Sequence, residues 1–135
     1  MVDAYDASLT LTAAADLSSA QNSYAAAAVG GYALFAGDTA DADVYDASLT
    51  KTTVSILSAA RQPDAVTAGG YAFFAGGDES GTVDVCDASL TRTTLTALSE
   101  ARNSMAAAAV GDYVLFAGGR NAASLYHDTV DVYTI

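Results

Sequence analysis

Val83-Asp84-Val85-Cys86-Asp87-Ala88-Ser89-Leu90-Thr91 decides how this chain folds, because it is one copy among several. The same stretch stands earlier as Ala42-Asp43-Val44-Tyr45-Asp46-Ala47-Ser48-Leu49-Thr50, and first as Val2-Asp3-Ala4-Tyr5-Asp6-Ala7-Ser8-Leu9-Thr10. A shortened copy, Val130-Asp131-Val132-Tyr133, follows near the end. The leading aspartates fall at 3, 43, 84 and 131, in steps of 40, 41 and 47 residues. A second block recurs between them: Gly31-Tyr32-Ala33-Leu34-Phe35-Ala36-Gly37, Gly70-Tyr71-Ala72-Phe73-Phe74-Ala75-Gly76 and Asp112-Tyr113-Val114-Leu115-Phe116-Ala117-Gly118. Self-similarity at such a period means a repeated supersecondary unit that buries its apolar face against its neighbours.

Spacing separates framework from loop. Asp3 to Gln21, Asp43 to Arg61 and Asp84 to Arg102 each span 18 residues, whereas the second-block Tyr reaches the next leading Asp after 11, 13 and 18. Extra length collects where closure entropy is small and solvent is near, so 37–42, 76–82 and 118–129 are the variable loops.

Tyr113-Val114-Leu115-Phe116-Ala117, ended by Gly118-Gly119, is a short apolar run that predicts a buried strand. Val83 to Asp87 alternates with period two, as a half-covered strand does. Thr93 to Leu98 and Thr52 to Leu57 are rich in β-branched residues. Ala106 to Ala109 favours helix by propensity. The dozen residues available there make only a marginal isolated helix, and the aligned Asp64-Ala65-Val66-Thr67-Ala68-Gly69 substitutes poorer helix formers, so strand is the better account. Four short strands in 40–47 residues is the signature of a propeller blade, whose innermost strand needs small side chains where the wedges converge.

The residues that carry a family resemblance run from Ala101-Arg102-Asn103-Ser104-Met105 through the alanines to Val110-Gly111-Asp112-Tyr113-Val114-Leu115-Phe116-Ala117-Gly118-Gly119, then Val130-Asp131-Val132-Tyr133. The pattern of Arg, small-residue strand, Gly-led turn, aromatic strand, Gly-Gly pair and Val-x-x-Tyr-Asp strand resembles the kelch family. It covers the whole chain. Thr12, Thr52 and Thr93 stand near the family's usual Trp, Gly37-Asp38 replaces one Gly-Gly pair, and Gln21 replaces the Arg seen at 61 and 102. The resemblance implies an all-β fold of kelch-like blades, each of four antiparallel strands lettered a to d from the axis. Strands c and d would occupy 1–20, whole blades 21–60 and 61–101, and strands a, b and c 102–135. Kelch rings close with about six blades, and three per chain would leave sheet faces and edges bare. A homodimer giving three blades from each chain is the simplest remedy, and a piece of a longer natural protein is the rival reading.

Composition narrows the function. The 135 residues suit one domain, and the 52% apolar content can offset the entropy of ordering. A net charge of −11 argues against nucleic acid and anionic membrane surfaces as partners. One Cys, Cys86, excludes an internal disulfide framework and a cysteine zinc cage, and reads as a small apolar residue in a Tyr position. No apolar run spans a bilayer, and Met1 to Asp6 lacks the pattern of a signal peptide, which leaves localisation open.

No nucleophile–base constellation is legible, so no catalytic residue, metal or cofactor is expected. His127 is the lone histidine, in the longest loop. Asp38, Asp41 and Asp43 could interest a calcium ion, but their spacing lacks the closing Glu and Gly of a known loop, and a solvated acidic loop is the plainer account. Asp78-Glu79 has the same plain account. Arg61 and Arg102 stand just before the innermost strands; they either pair with a neighbouring carboxylate or cap loop carbonyls, or they line a channel mouth. The resemblance implies the mouth reading for Arg102 and Ser104, since peptide-binding kelch rings use such an Arg and Ser there. With Asn103, Arg120, Asn121, Tyr126 and His127 these form the candidate binding face, for a protein, peptide or saccharide. The expected function is a non-catalytic, self-assembling interaction module. The alternatives are a structural propeller fragment without a ligand, or a kelch-type enzyme using the channel mouth.

Overall fold

A computed structural model describes residues 1–21 and 24–135; Asn22 and Ser23, inside the expected 21–60 unit, lie outside the described residues. The chain is all-β. Thirteen strands form four antiparallel sheets, and there is no helix among the described residues. The first sheet pairs β1 (Val2–Tyr5) with β2 (Leu11–Ala14). The second orders β3 (Ala25–Val29), β4 (Tyr32–Ala36), β5 (Asp41–Tyr45) and β6 (Lys51–Ser55) side by side. The third repeats this with β7 (Asp64–Ala68), β8 (Tyr71–Ala75), β9 (Val83–Cys86) and β10 (Arg92–Leu95). The fourth has β11 (Ala106–Val110), β12 (Tyr113–Ala117) and β13 (Val130–Thr134).

The alanine runs are strands. Their small side chains let β7 lie between β3 and β11, and Thr67 Oγ1 ties β7 to β3 by accepting from the Ala28 amide at 3.0 Å and donating to the Ala28 carbonyl at 2.8 Å. Tertiary approach overrides the helix preference of alanine here. Two apolar clusters fill the spaces between sheets. Leu34, Val44, Ile56, Leu57 and Phe74 meet between the second and third sheets, and Phe73, Val85, Met105, Val114 and Phe116 between the third and fourth. Each such side chain contributes about 1.5–3 kcal/mol by leaving water. Rings meet edge to face at Phe35–Tyr45 and Phe116–Tyr133, with centroids 5.8 and 6.2 Å apart.

The repeated Asp-Ala-Ser-Leu-Thr is the turn joining the last two strands of a unit. Asp6 Oδ1 accepts from the Ser8 and Thr10 amides at 2.9 Å, and Asp46 and Asp87 repeat the arrangement. The leucines of these turns, Leu9, Leu49 and Leu90, take φ of 62°, 60° and 61°.

One joint recurs between successive sheets. The leading Asp of each later unit accepts from a Ser after the last strand of the unit before it: Ser18 to Asp43, Ser58 to Asp84 and Ser99 to Asp131, with amide distances of 2.7, 2.7 and 3.0 Å. Tyr45 and Tyr133 add a hydroxyl bond to the Ala15 and Thr96 carbonyls, at 2.6 and 2.9 Å. Beyond the outermost joints the apolar faces stay uncovered: Val132 is 55% exposed, whereas Val44, its counterpart in the second sheet, is 0% exposed.

Candidate functional site

Antiparallel pairing places the starts of β3, β7 and β11 beside the ends of β4, β8 and β12, so the three variable loops leave from the same end of each sheet. Two adjoining cavities open there. One, about 350 Å³, is lined by Asp38, Gln62, Pro63, Asp64 and Ser104 among others; the next, about 560 Å³, by Asp78, Glu79, Glu100 and Asn121. Gly77, Asn103 and Arg120 border both.

Arg61 and Arg102 do not present their guanidinium groups to this basin. Arg61 donates from Nη1 to Asp84 at 2.7 Å, from Nε to the Gly76 carbonyl at 3.0 Å and from Nη2 to the Phe74 carbonyl at 3.0 Å. Arg102 donates to the Gly118 carbonyl, to the Thr129 carbonyl at 3.0 Å and to Asp131. Both side chains are sealed from water. A guanidinium offers five donors in a rigid fork, and here the fork clamps the root of a loop to a strand carboxylate. Of the two readings the sequence left open, this placement matches pairing with a carboxylate and loop carbonyls, although Arg61 borders the first cavity and Arg102 the second.

The first complete unit has Gln21 in place of this arginine. Gln21 accepts from the Asp38 amide at 2.9 Å, and the positive charge near Asp43 comes from Lys51 Nζ at 3.7 Å. Asp43 is thus committed to Ser18 and Lys51. Among the described residues no three His, Cys, Asp or Glu side chains are grouped to hold a metal ion.

The other candidates do gather. The long loop folds back as a small ribbon in which Arg120 bridges Asn103 on one side and Tyr126 on the other. Asn103 and Arg120 exchange backbone bonds of 2.9 and 3.0 Å. Asn121 imitates the aspartate turns, accepting from the Ala123 and Leu125 amides at 3.0 and 3.1 Å. Tyr126 projects into solvent, 85% exposed. His127 turns back, its Nδ1 3.0 Å from Glu100, while its Nε2 is buried without a protein partner among the described residues. Ser104 borders the basin with φ 56°, an uncommon conformation outside glycine.

Electrostatically the basin is acidic. Burial holds the Asp64 carboxyl above its usual range, offset in part by the Met105 amide at 2.9 Å. Burial works the same way on Asp78, but bonds from Thr82 and Ser80 and the nearby Arg61 charge outweigh it and lower its pKa. Sequence reasoning did not group Gln62, Asp64 and Glu100 with these candidates and read Asp38 only as part of a solvated acidic loop; the fold brings all four to one basin. It also missed the joints, although a carboxylate retained in each copy of an otherwise apolar strand signals a buried partner. No family model matches the chain, and no curated protein matches it at a significant level.

Proposed function

We propose that the chain is a non-catalytic, kelch-type β-propeller interaction module in which two copies complete one six-bladed ring. The four sheets are read as a half blade, two whole blades and three-quarters of a fourth. The observation that carries this is the joint: it is made three times with the same residue types, and the sheet faces beyond it remain apolar and open. Bare faces and unpaired edges of this kind favour association. Sedimentation of the purified protein tests it. A species of twice the 13.6 kDa chain mass supports closure, and a stable monomer at micromolar concentration overturns it.

The loop face is the ligand surface of that ring. Asp38, Asp64, Asp78, Glu79 and Glu100 surround the exposed Arg120, with the amides of Gln62, Asn103 and Asn121 beside them. Such a lining suits a hydroxyl-rich saccharide or a peptide with basic side chains better than an acidic peptide. Arrays of glycans and of basic and acidic peptides, probed with the assembled protein, test the preference. Saccharide capture that falls with Arg120→Ala, or basic-peptide capture that falls with Glu79→Gln, while the assembly mass is unchanged supports a ligand face. No capture at all favours the second reading, a structural ring without a dedicated ligand.

A further inference from the structure

β1 and β13 are chemical duplicates, Val2-Asp3-Ala4-Tyr5 against Val130-Asp131-Val132-Tyr133, but only β13 has its joint made. Asp131 holds the Ser99 amide and Arg102, and Tyr133 holds the Thr96 carbonyl. Asp3 and Tyr5 face outward, and neither makes a side-chain hydrogen bond to the described residues. We propose that in the assembled ring β1 of one copy takes the place of β13 in the other, entering beside β12 with β2 as the fourth strand and displacing the C-terminal strand. This rests on the two-copy ring proposed above and specifies which strand exchanges.

Two observations favour β1 over β13. The first is what each alternative breaks. If β13 stayed, β2 would have to leave β1 to pair with it, undoing the Asp6 turn and its bonds to Ser8 and Thr10. If β1 enters with its hairpin intact, Asp3 and Tyr5 remake the bonds of Asp131 and Tyr133 one for one.

The second is the fit at the turns. A Cβ at Gly30 would stand 2.7 Å from Ala88, so the turn of one unit rests on a small residue of the next. Ile135 occupies the matching place at Gly69, with its Cγ2 2.4 Å from where a Cβ would stand, so this turn rests on a branched side chain instead. Ala7, aligned with Ala88, is the small residue that β1 brings to this place. Gly111, the equivalent glycine of the last sheet, has nothing within 4 Å of a Cβ, which bears on closure of the ring rather than on the choice of strand. In the closed ring the partner's first complete unit covers it.

Two full-length variants in sedimentation equilibrium separate the strands. Asp3→Ala is expected to weaken dimerisation by about tenfold or more, because Arg102 and Ser99 of the other copy then lose their carboxylate. Asp131→Ala is expected to leave dimerisation unchanged or tighter. The reverse pattern, or equal effects, overturns the strand assignment and leaves the ring standing; a monomeric parent protein overturns the ring itself. Should Asp131→Ala fail to fold, a disulfide trap decides. Val130 pairs with Ala117, so Val2→Cys with Ala117→Cys, in a Cys86→Ser background, should give a covalent dimer on mild oxidation. A chain that stays monomeric on a non-reducing gel while sedimenting as a dimer rejects the exchange.

Discussion

Arg61 and Asp84 form an ion pair 2.7 Å long that neither side chain shares with water. Asp84 also takes the Ser58 amide at 2.7 Å and the Thr94 hydroxyl at 2.6 Å, so one carboxylate holds three segments: the preceding unit, the start of its own and its own last strand. Removing one partner of such a pair leaves a buried, uncompensated charge. Arg61→Ala should cost about 3–5 kcal/mol, read from urea or thermal unfolding. A variant that keeps its stability but loses ligand capture would return Arg61 to the loop face.

The same carboxylate sets a pH dependence. Burial alone would raise the Asp84 pKa, but the bonds from Ser58, Thr94 and Arg61 outweigh it and hold it below the ordinary 3.8. A lowered native pKa contributes stability above the unfolded value, which is lost as pH falls through the native one. Unfolding free energy should therefore drop as pH falls below 3.8, and Asp84→Asn should flatten that part of the curve while lowering stability at neutral pH.

Cys86 sits inside the second and third sheets, where burial, with a smaller effect of the Asp87 charge, pushes its thiol up to about 11. The thiolate is the reactive form. Modification by a disulfide reagent at neutral pH should be negligible in the native protein and rapid in denaturant. Fast native labelling would mean that the sheets part readily.

Two glycines in similar conformations should respond differently to alanine. Gly31 (φ 82°) has open space around a Cβ, so Gly31→Ala should cost only the left-handed backbone penalty, about 1 kcal/mol. Gly77 (φ 80°) would put its Cβ 2.0 Å from the Gln62 carbonyl. Gly77→Ala should exceed about 2 kcal/mol and disturb the basin that Gly77 borders, which thermal melts and ligand binding together would report.

Leu9 holds a left-handed turn position at φ 62° with 80% of its surface exposed. In the isolated chain Leu9→Asn should stabilise by up to about 1 kcal/mol, because Asn tolerates that conformation and little packing is lost there. Leu90, at the same turn position but packed against the core, should not tolerate the change as well.

Strand placement was legible because the repeat supplies several versions of each segment. Ala106 to Val110 alone favours helix, yet its aligned partner Asp64 to Ala68 carries Val and Thr, and both are strands. The turn aspartates were visible only as repetition; their role needs backbone geometry that spacing does not encode. The basin was largely illegible. Asp38, Asp64, Glu100 and Arg120 are far apart in sequence, and their meeting depends on how neighbouring sheets are set against each other. For Arg61 and Arg102 the position relative to the innermost strand was legible and the direction of each guanidinium was left open; buried carbonyls at Gly76 and Gly118 hold it.

The joint between units carries a hazard as well as strength. Ser18, Ser58 and Ser99 offer nearly the same chemistry to Asp43, Asp84 and Asp131, so an incompletely folded chain can engage the wrong neighbour and skip a unit. Repeats this alike are prone to mis-registered intermediates and tangled oligomers. Features in which the units differ, such as Gln21 with Lys51 in the first complete unit and Cys86 in the next, become address labels that favour the correct order of assembly.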